Sequence, residues 1–224
     1  MAASVLCERW NLLIVRELIL GSRRFNDIHR GLPGLSRTLL SQRLRSLQQA
    51  GLVMTVAGDG SGSQGYTLTA QGADLEGVLM ELGSWSVRWS FPEPGEQQLD
   101  PYLLLWRMRS GLQFENLPDR RVTIELIFDQ GSEQVRGWLV LDGKDSSLCT
   151  RHPMFAVDIH ARARSAVWHE LWYGHRSWLE ALDHGELELS GKSALLRAFP
   201  TWFKGSAFAS QVADRRAAAD RPTL

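Results

Sequence analysis

The sequence predicts an α+β chain built from two modules, and three observations carry that prediction. Apolar residues recur at helical spacing through most of the first ninety positions, interrupted by one short hairpin pattern. The segment FPEPGEQQLDP (91–101) then breaks the pattern with three prolines and a glycine and offers few apolar groups to bury. Beyond it, strand-like runs come first and helical runs afterwards, which is the grouping of an α+β module. A length of 224 residues is generous for one small module and comfortable for two. The expected organisation is a first domain at 1–90, a linker at 91–99, a second domain at 100–208 and a flexible Ala-, Arg- and Asp-rich tail at 209–224.

In the first module, ERWNLLIVRELILGSRRF (8–25) places Trp10, Leu13, Ile14, Glu17 and Leu18 at helical intervals, with Gly21 as a stop. RRFNDIHRGLPG (23–34) reads as a short helix with Phe25 and Ile28 turned inward, closed by a Pro-Gly turn. The next helix opens at Ser36, whose hydroxyl suits an N-cap, and ends at Gly51. Leu40, Leu44 and Leu47 form its inner stripe, which leaves Arg37, Thr38, Ser41, Gln42 and Arg45 on the outer side. Leu52 to Ala57 and Tyr66 to Thr69 then read as two strands around the tip GDGSGSQG. Helix, helix and hairpin in this order make a winged helix-turn-helix.

The outer face of the Ser36 helix carries hydrogen-bonding groups and positive charge but no carboxylate. A helix fits the DNA major groove, where Arg pairs bidentately with guanine and Gln with adenine, so these residue types suit base reading. The alternative is a solvated face of an ordinary core helix, and charge discriminates between the two. The net charge is zero, yet residues 1–70 hold eight Arg against four acids and residues 71–224 hold seventeen Lys and Arg against twenty-one acids. Arg23, Arg24, Arg30, Arg37, Arg43 and Arg45 cluster around the helix pair, opposed locally by Asp27.

Residues 8–75 resemble the HxlR-type winged-helix regulators, a group similar in outline to MarR repressors. The resemblance is carried by ERWxLLIVREL, the RRFNDI block, GLxGLSxxLLSQRLRxLxxAGLV and YxLTxxG, at 8–18, 23–28, 31–53 and 66–72. It implies that the helix from Ser36 is the recognition helix with Arg37, Thr38, Ser41, Gln42 and Arg45 as its DNA face, that Arg23, Arg24 and Ser36 are further DNA-binding residues, and that the partner is a palindromic double-stranded DNA operator. Two features depart from the pattern: the wing tip has Asp59 and no Lys or Arg, and many relatives carry a reactive cysteine in a longer leader than the one before Cys7. An exposed Cys7 beside arginine would be open to oxidation, although packing is the commoner role of such a thiol.

Ala70 to Trp89 continues as a long helical pattern with Leu75, Leu79, Leu82, Trp85 and Trp89 near one face. The resemblance implies a homodimer formed through this helix; packing on its own chain is the alternative.

The second module is expected to hold a helix at Tyr102–Arg109, strands at Val122–Phe128, Gln134–Leu141, Ser146–Thr150 and Phe155–His160, and helices at Ser165–Tyr173, Ser177–Leu182 and Ser193–Phe203. Residues 100–208 resemble the sterol carrier protein fold through this strand order, RGWLVLDG (136–143), FAVDIHARARSAVWHELWYG (155–174) and HGELELSGKSALL (184–196). That resemblance implies an apolar tunnel holding a small hydrophobic ligand, with Trp106, Trp138, Phe155, Trp168, Trp172 and Trp202 as its candidate lining. A core packed shut by the same rings is the competing expectation.

Two distant cysteines outline no disulfide scaffold and suit a reducing compartment. The apolar run near the start is broken by Arg16 and Glu17, so neither a secretion signal nor a membrane span is read, and a cytoplasmic protein without membrane association is expected. No catalytic constellation is legible: His169 and His175 in HELWYGH stand six apart, whereas a zincin helix needs i and i+4, and Cys149 with His152 has no second ligand pair. No cofactor, metal or enzymatic activity is therefore expected. The sequence reads as a DNA-binding transcriptional regulator, a repressor responsive to a hydrophobic ligand. The alternative is a lipid-binding carrier or scaffold that uses the winged helix for dimerisation or protein contact.

Overall fold

The computed structural model describes residues 2–57, 64–89, 99–143 and 145–219. The chain divides into two compact units, Met1–Trp85 and Ser86–Leu224, five residues earlier than the boundary read from the sequence. The wing tip with Asp59, most of the expected linker and residues 220–224 of the expected tail lie outside the described residues.

The first unit begins with α1 (Ala2–Leu6) and α2 (Asn11–Ile19). Asn11 is fully buried and its Nδ2 donates to the Val5 carbonyl at 2.8 Å, which ties the two helices together. Ile14, Val15 and Leu18 form the buried stripe of α2, while Leu13, read at the same helical spacing, is exposed. Trp10 is not a helical residue: it precedes α2 with φ +84°, a left-handed conformation uncommon for a side chain of that size. Then come α3 (Phe25–Arg30) and α4 (Arg37–Gln49). Ser36 Oγ accepts from the Leu39 N–H at 3.2 Å, and Leu40, Leu44 and Leu47 are buried, so the expected cap and stripe are both present.

Strands β1 (Val53–Ala57) and β2 (Gln64–Leu68) pair antiparallel with Thr55 opposite Tyr66. The Tyr66 N–H also donates to the Arg23 carbonyl at 2.8 Å, which fastens the wing to the segment entering α3. The helix expected at 70–89 is two helices, α5 (Ala70–Ala73) and α6 (Leu75–Trp89). Thr69 explains the start of α5: its Oγ1 accepts from the Gly72 N–H at 3.1 Å and donates to the Gly51 carbonyl at 2.6 Å. Gly72 must lack a side chain because a Cβ there would collide with the Leu52 carbonyl. Leu75 and Leu79 pack on the core of this unit. Val78, Leu82, Trp85 and Trp89 follow one another along an exposed stripe of α6.

The second unit takes in the last residues of α6 and then α7 (Pro101–Ser110), capped by Asp100 Oδ1, which accepts from the Tyr102 and Leu103 N–H groups at 2.9 and 3.1 Å. Five strands follow: β3 (Val122–Gln130), β4 (Glu133–Asp142), β5 (Asp145–Cys149), β6 (Ile159–Arg164) and β7 (Leu187–Gly191). They form one sheet in the order β5-β4-β3-β6-β7, with β3 and β6 parallel and every other pair antiparallel. Helices α8 (Ser165–Tyr173) and α9 (Trp178–Asp183) lie in sequence between β6 and β7, and α10 (Ser193–Ala198) runs into a 3₁₀ turn at Phe199–Trp202. Val122, Ile124, Leu126 and Phe128 of β3 enter the core together with Leu139, Ala161, Val167 and Leu187.

Three expectations for this unit are corrected. The strand expected at Phe155–His160 begins at Ile159 and runs to Arg164, because Ile159, Ala161 and Ala163 alternate inward against outward His160, Arg162 and Arg164. Asp158 precedes it in a turn, its main-chain N–H donating to the Thr123 carbonyl at 2.8 Å and its Oδ2 accepting from the Thr123 N–H at 3.0 Å. Strand β7 was not expected as a strand. The tail expected to be flexible from 209 is helix α11 (Ala209–Ala219), which buries Val212 and pairs Arg216 with Glu180 at 2.7 Å. Among the described residues no helix is long and apolar enough to cross a membrane.

Candidate nucleic-acid interface

Arg37, Thr38, Ser41, Gln42 and Arg45 come together along an open groove of about 500 Å³ on the outer side of α4. Their positions follow from local physics: the Ser36 cap fixes the first turn, and burial of Leu40, Leu44 and Leu47 turns the opposite side outward. Among the described residues no carboxylate lines the groove. Arg45 Nη2 donates to Ser41 Oγ one turn earlier at 3.1 Å. Arg37 is held from the neighbouring helix: its Nη2 donates to Asn26 Oδ1 at 2.7 Å, and its guanidinium lies 5.1 Å from the centre of the Phe25 ring.

The remaining expected positions divide by role. Arg24 is exposed at the N-cap of α3. Arg23 Nη1 donates to the Leu18 carbonyl at 2.7 Å, so this side chain also closes the end of α2. Ser36 Oγ is engaged in capping as an acceptor, which leaves its hydroxyl proton for an outside partner. Arg43, counted with the basic cluster, turns away and pairs with Glu8 at 2.7 Å. Sequence reasoning missed Asn26, because its partner lies eleven positions away across a turn. Phe25 was read as an inward residue; it packs on the core and also offers a face to Arg37.

A buried carboxylate stands where α2 meets the end of α3. Glu17 is fully buried, and its Oε1 accepts from Arg16 Nε and Nη2 at 3.2 and 2.8 Å. A Cβ on Gly31 would overlap the Glu17 carboxylate, so α3 ends in close contact with α2.

In the second unit the six residues expected to line a ligand tunnel do not share one environment. Trp168, Trp172 and Trp202 belong to its hydrophobic core. Trp168 packs against Phe128 and Trp178 and donates its Nε1–H to the Ile127 carbonyl at 2.9 Å. Trp202 meets Phe199, which in turn meets Trp178 and Phe203 with ring centres 5.2–5.9 Å apart. Trp106 lies under Arg109, Trp138 contacts His152 edge-on, and Phe155 is exposed beneath Arg121. His169 is buried with Nδ1 at 2.8 Å from the Ser165 carbonyl, and burial pushes its pKa below the ordinary histidine value. Among the described residues no group of three or more His, Cys, Asp or Glu is arranged to hold a metal ion.

Residues 5–94 match the HxlR-like helix-turn-helix family. The uncharacterized HTH-type transcriptional regulator YvaP of Bacillus subtilis is 38% identical over 92 residues, which cover 41% of this chain and 85% of that protein. The HTH-type transcriptional regulator YodB of the same organism is 36% identical over 96 residues, covering 42% and 84%. A solved structure of YodB in its reduced form shares 34% identity over 42% of this chain and 92% of that one, with a TM-score of 0.36. The sequence matches to YvaP and YodB, each spanning most of the relative, carry the assignment: the chain belongs to the HxlR-like helix-turn-helix family through its first unit.

Proposed function

We propose that the protein is a DNA-binding transcriptional regulator that inserts α4 into the major groove. The observation that carries this reading is the gathering of Arg37, Thr38, Ser41, Gln42 and Arg45 on one carboxylate-free face of the second helix of the helix-turn-helix. Arg24, exposed where α3 begins, is suited to a phosphate contact. Repression is the mode proposed, because occupying an operator requires no additional surface for polymerase.

The regulator acts as a homodimer on a palindromic site. The support is the exposed stripe Val78, Leu82, Trp85 and Trp89, a row of large apolar groups of the kind that contributes most to interfaces. Two α4 helices in successive major grooves would sit about 34 Å apart. The finer reading, a small hydrophobic effector held by residues 100–208, rests on the sterol carrier protein resemblance and on that unit having a core of its own. Titration of fatty acids, sterols and aromatic compounds against tryptophan emission tests it, and no spectral change with any of them would leave the second unit as a packed structural module.

The direct test uses duplexes selected by the full chain from random-sequence DNA. Arg37→Ala and Gln42→Ala should each weaken binding to the selected duplex by about 1–3 kcal/mol. Unchanged binding of both variants would refute the assignment of α4 as the reading helix. A monomer in sedimentation at micromolar concentration, with a footprint over one half-site, would refute the dimer.

A further inference from the structure

We infer that Asn26 is a positioning residue that sets the base preference of Arg37, an inference that rests on the DNA-binding reading above. Arg37 stands at the first position of α4, the end of a recognition helix that reaches base edges. A free arginine there would sample many rotamers, and ordering them on DNA costs binding energy. Two contacts from α3 restrict this one. Stacking over Phe25, with the guanidinium carbon 5.1 Å from the ring centre, sets the plane of the group. The 2.7 Å bond from Nη2 to Asn26 Oδ1 sets its rotation within that plane.

The amide orientation of Asn26 is dictated by chemistry, since a guanidinium has donors only and must face the amide oxygen. That bond uses one of five N–H groups and leaves four for a partner. The other groups on the face lack such a hold. The side chains of Thr38 and Gln42 have no hydrogen-bond partner among the described residues, and Arg45 is met by Ser41 of its own helix. Arg37 is thus the reading side chain that a second helix pre-orients.

A purely structural role for Asn26 makes a different prediction, because both partners are exposed and surface substitutions of this kind change stability little. The test presents the full chain and its variants with random-sequence duplexes and sequences the bound fraction. The position whose base preference disappears in Arg37→Ala is the one Arg37 reads. Asn26→Ala should cut the preference at that position by about fivefold or more, leave other positions unchanged and keep the thermal midpoint. Asn26→Asp, which keeps the acceptor oxygen, should retain the preference while affinity for every sequence falls, because a carboxylate is added beside the phosphates.

Added to Arg37→Ala, Asn26→Ala should have no further effect on preference. An intact preference in Asn26→Ala, or a uniform loss of affinity with no change in preference, would overturn the positioning role while leaving the DNA-binding reading in place. An Arg37→Ala variant with unaltered preference and affinity would overturn both.

Discussion

Replacing Gly31 with alanine separates a general rule from the geometry of this fold. Gly31 has φ −70° and ψ −7°, a backbone conformation any residue adopts, so the general expectation is that alanine stabilises by about 0.4–1 kcal/mol through the unfolded chain. The structure reverses the sign. The new Cβ would overlap the carboxylate of Glu17, which is fully buried and held by Arg16. Relief requires Glu17 to leave that arrangement. Breaking a buried ion pair costs about 3–5 kcal/mol, and the lower end applies because the Arg16 side chain is 40% exposed. After the unfolded-state gain, a net loss of about 2 kcal/mol remains, equivalent to about 10 °C for a unit of this size. Calorimetry on the full chain should show the transition of the first unit lowered by that amount and that of the second unmoved. In a Glu17→Ala background the obstruction is gone, so Gly31→Ala should become neutral or stabilising. A rise in midpoint on Gly31→Ala with Glu17 present would refute the reasoning.

Further outcomes are expected for DNA binding and for the second unit. Arg24→Ala should weaken specific and non-specific DNA alike and reduce the salt slope by about one unit, whereas a loss confined to the selected duplex would reassign it to base reading. Gly174 has φ +83°, and a Cβ there would strike the Ala209 carbonyl, so Gly174→Ala should undock α11 and remove hydrogen-exchange protection from 209–219; retained protection would contradict the docking. The Arg216 guanidinium, followed by Ser177, lowers the Glu180 carboxyl from 4.5 to about 2. Its contribution is therefore complete above pH 4.5 and lost as pH falls toward 2, and protection of α11 should decline over that window in the wild type and not in Glu180→Gln. His169, held neutral by burial, contributes fully above its ordinary pKa of 6.5 and less as pH falls below it; His169→Gln should flatten the stability slope there.

Legibility from sequence followed the range of the forces involved. The α4 reading depended on one cap, one leucine stripe and one glycine stop, all within a few turns of each other, and its boundaries and outer face agree with the fold. The wing strands were legible for the same reason, since a short apolar run, a Gly- and Ser-rich tip and a returning run are local signals. In the second unit, β3, β4 and α8 announced themselves through strand-like apolar runs or helical periodicity.

What sequence could not settle is what depends on a partner distant along the chain. The charge of the region pointed to six clustered arginines, but only tertiary packing decided that Arg43 turns to Glu8, that Arg23 closes α2 and that Arg37 is tied to Asn26. Residues 209–219 have the composition of a solvated tail and become a helix because Val212 finds a buried site and Arg216 finds Glu180. The five-residue β7 exists because β6 offers it an edge. The tryptophan density was visible as composition. That Trp168, Trp172 and Trp202 share one core while Trp106, Trp138 and Phe155 do not was decided by which face of its helix, strand or loop each stands on. Local periodicity determines elements and their faces, whereas pairing, docking and the division of arginines between structure and surface require the chain to have folded, because each contact is chosen against all others that the closed chain allows.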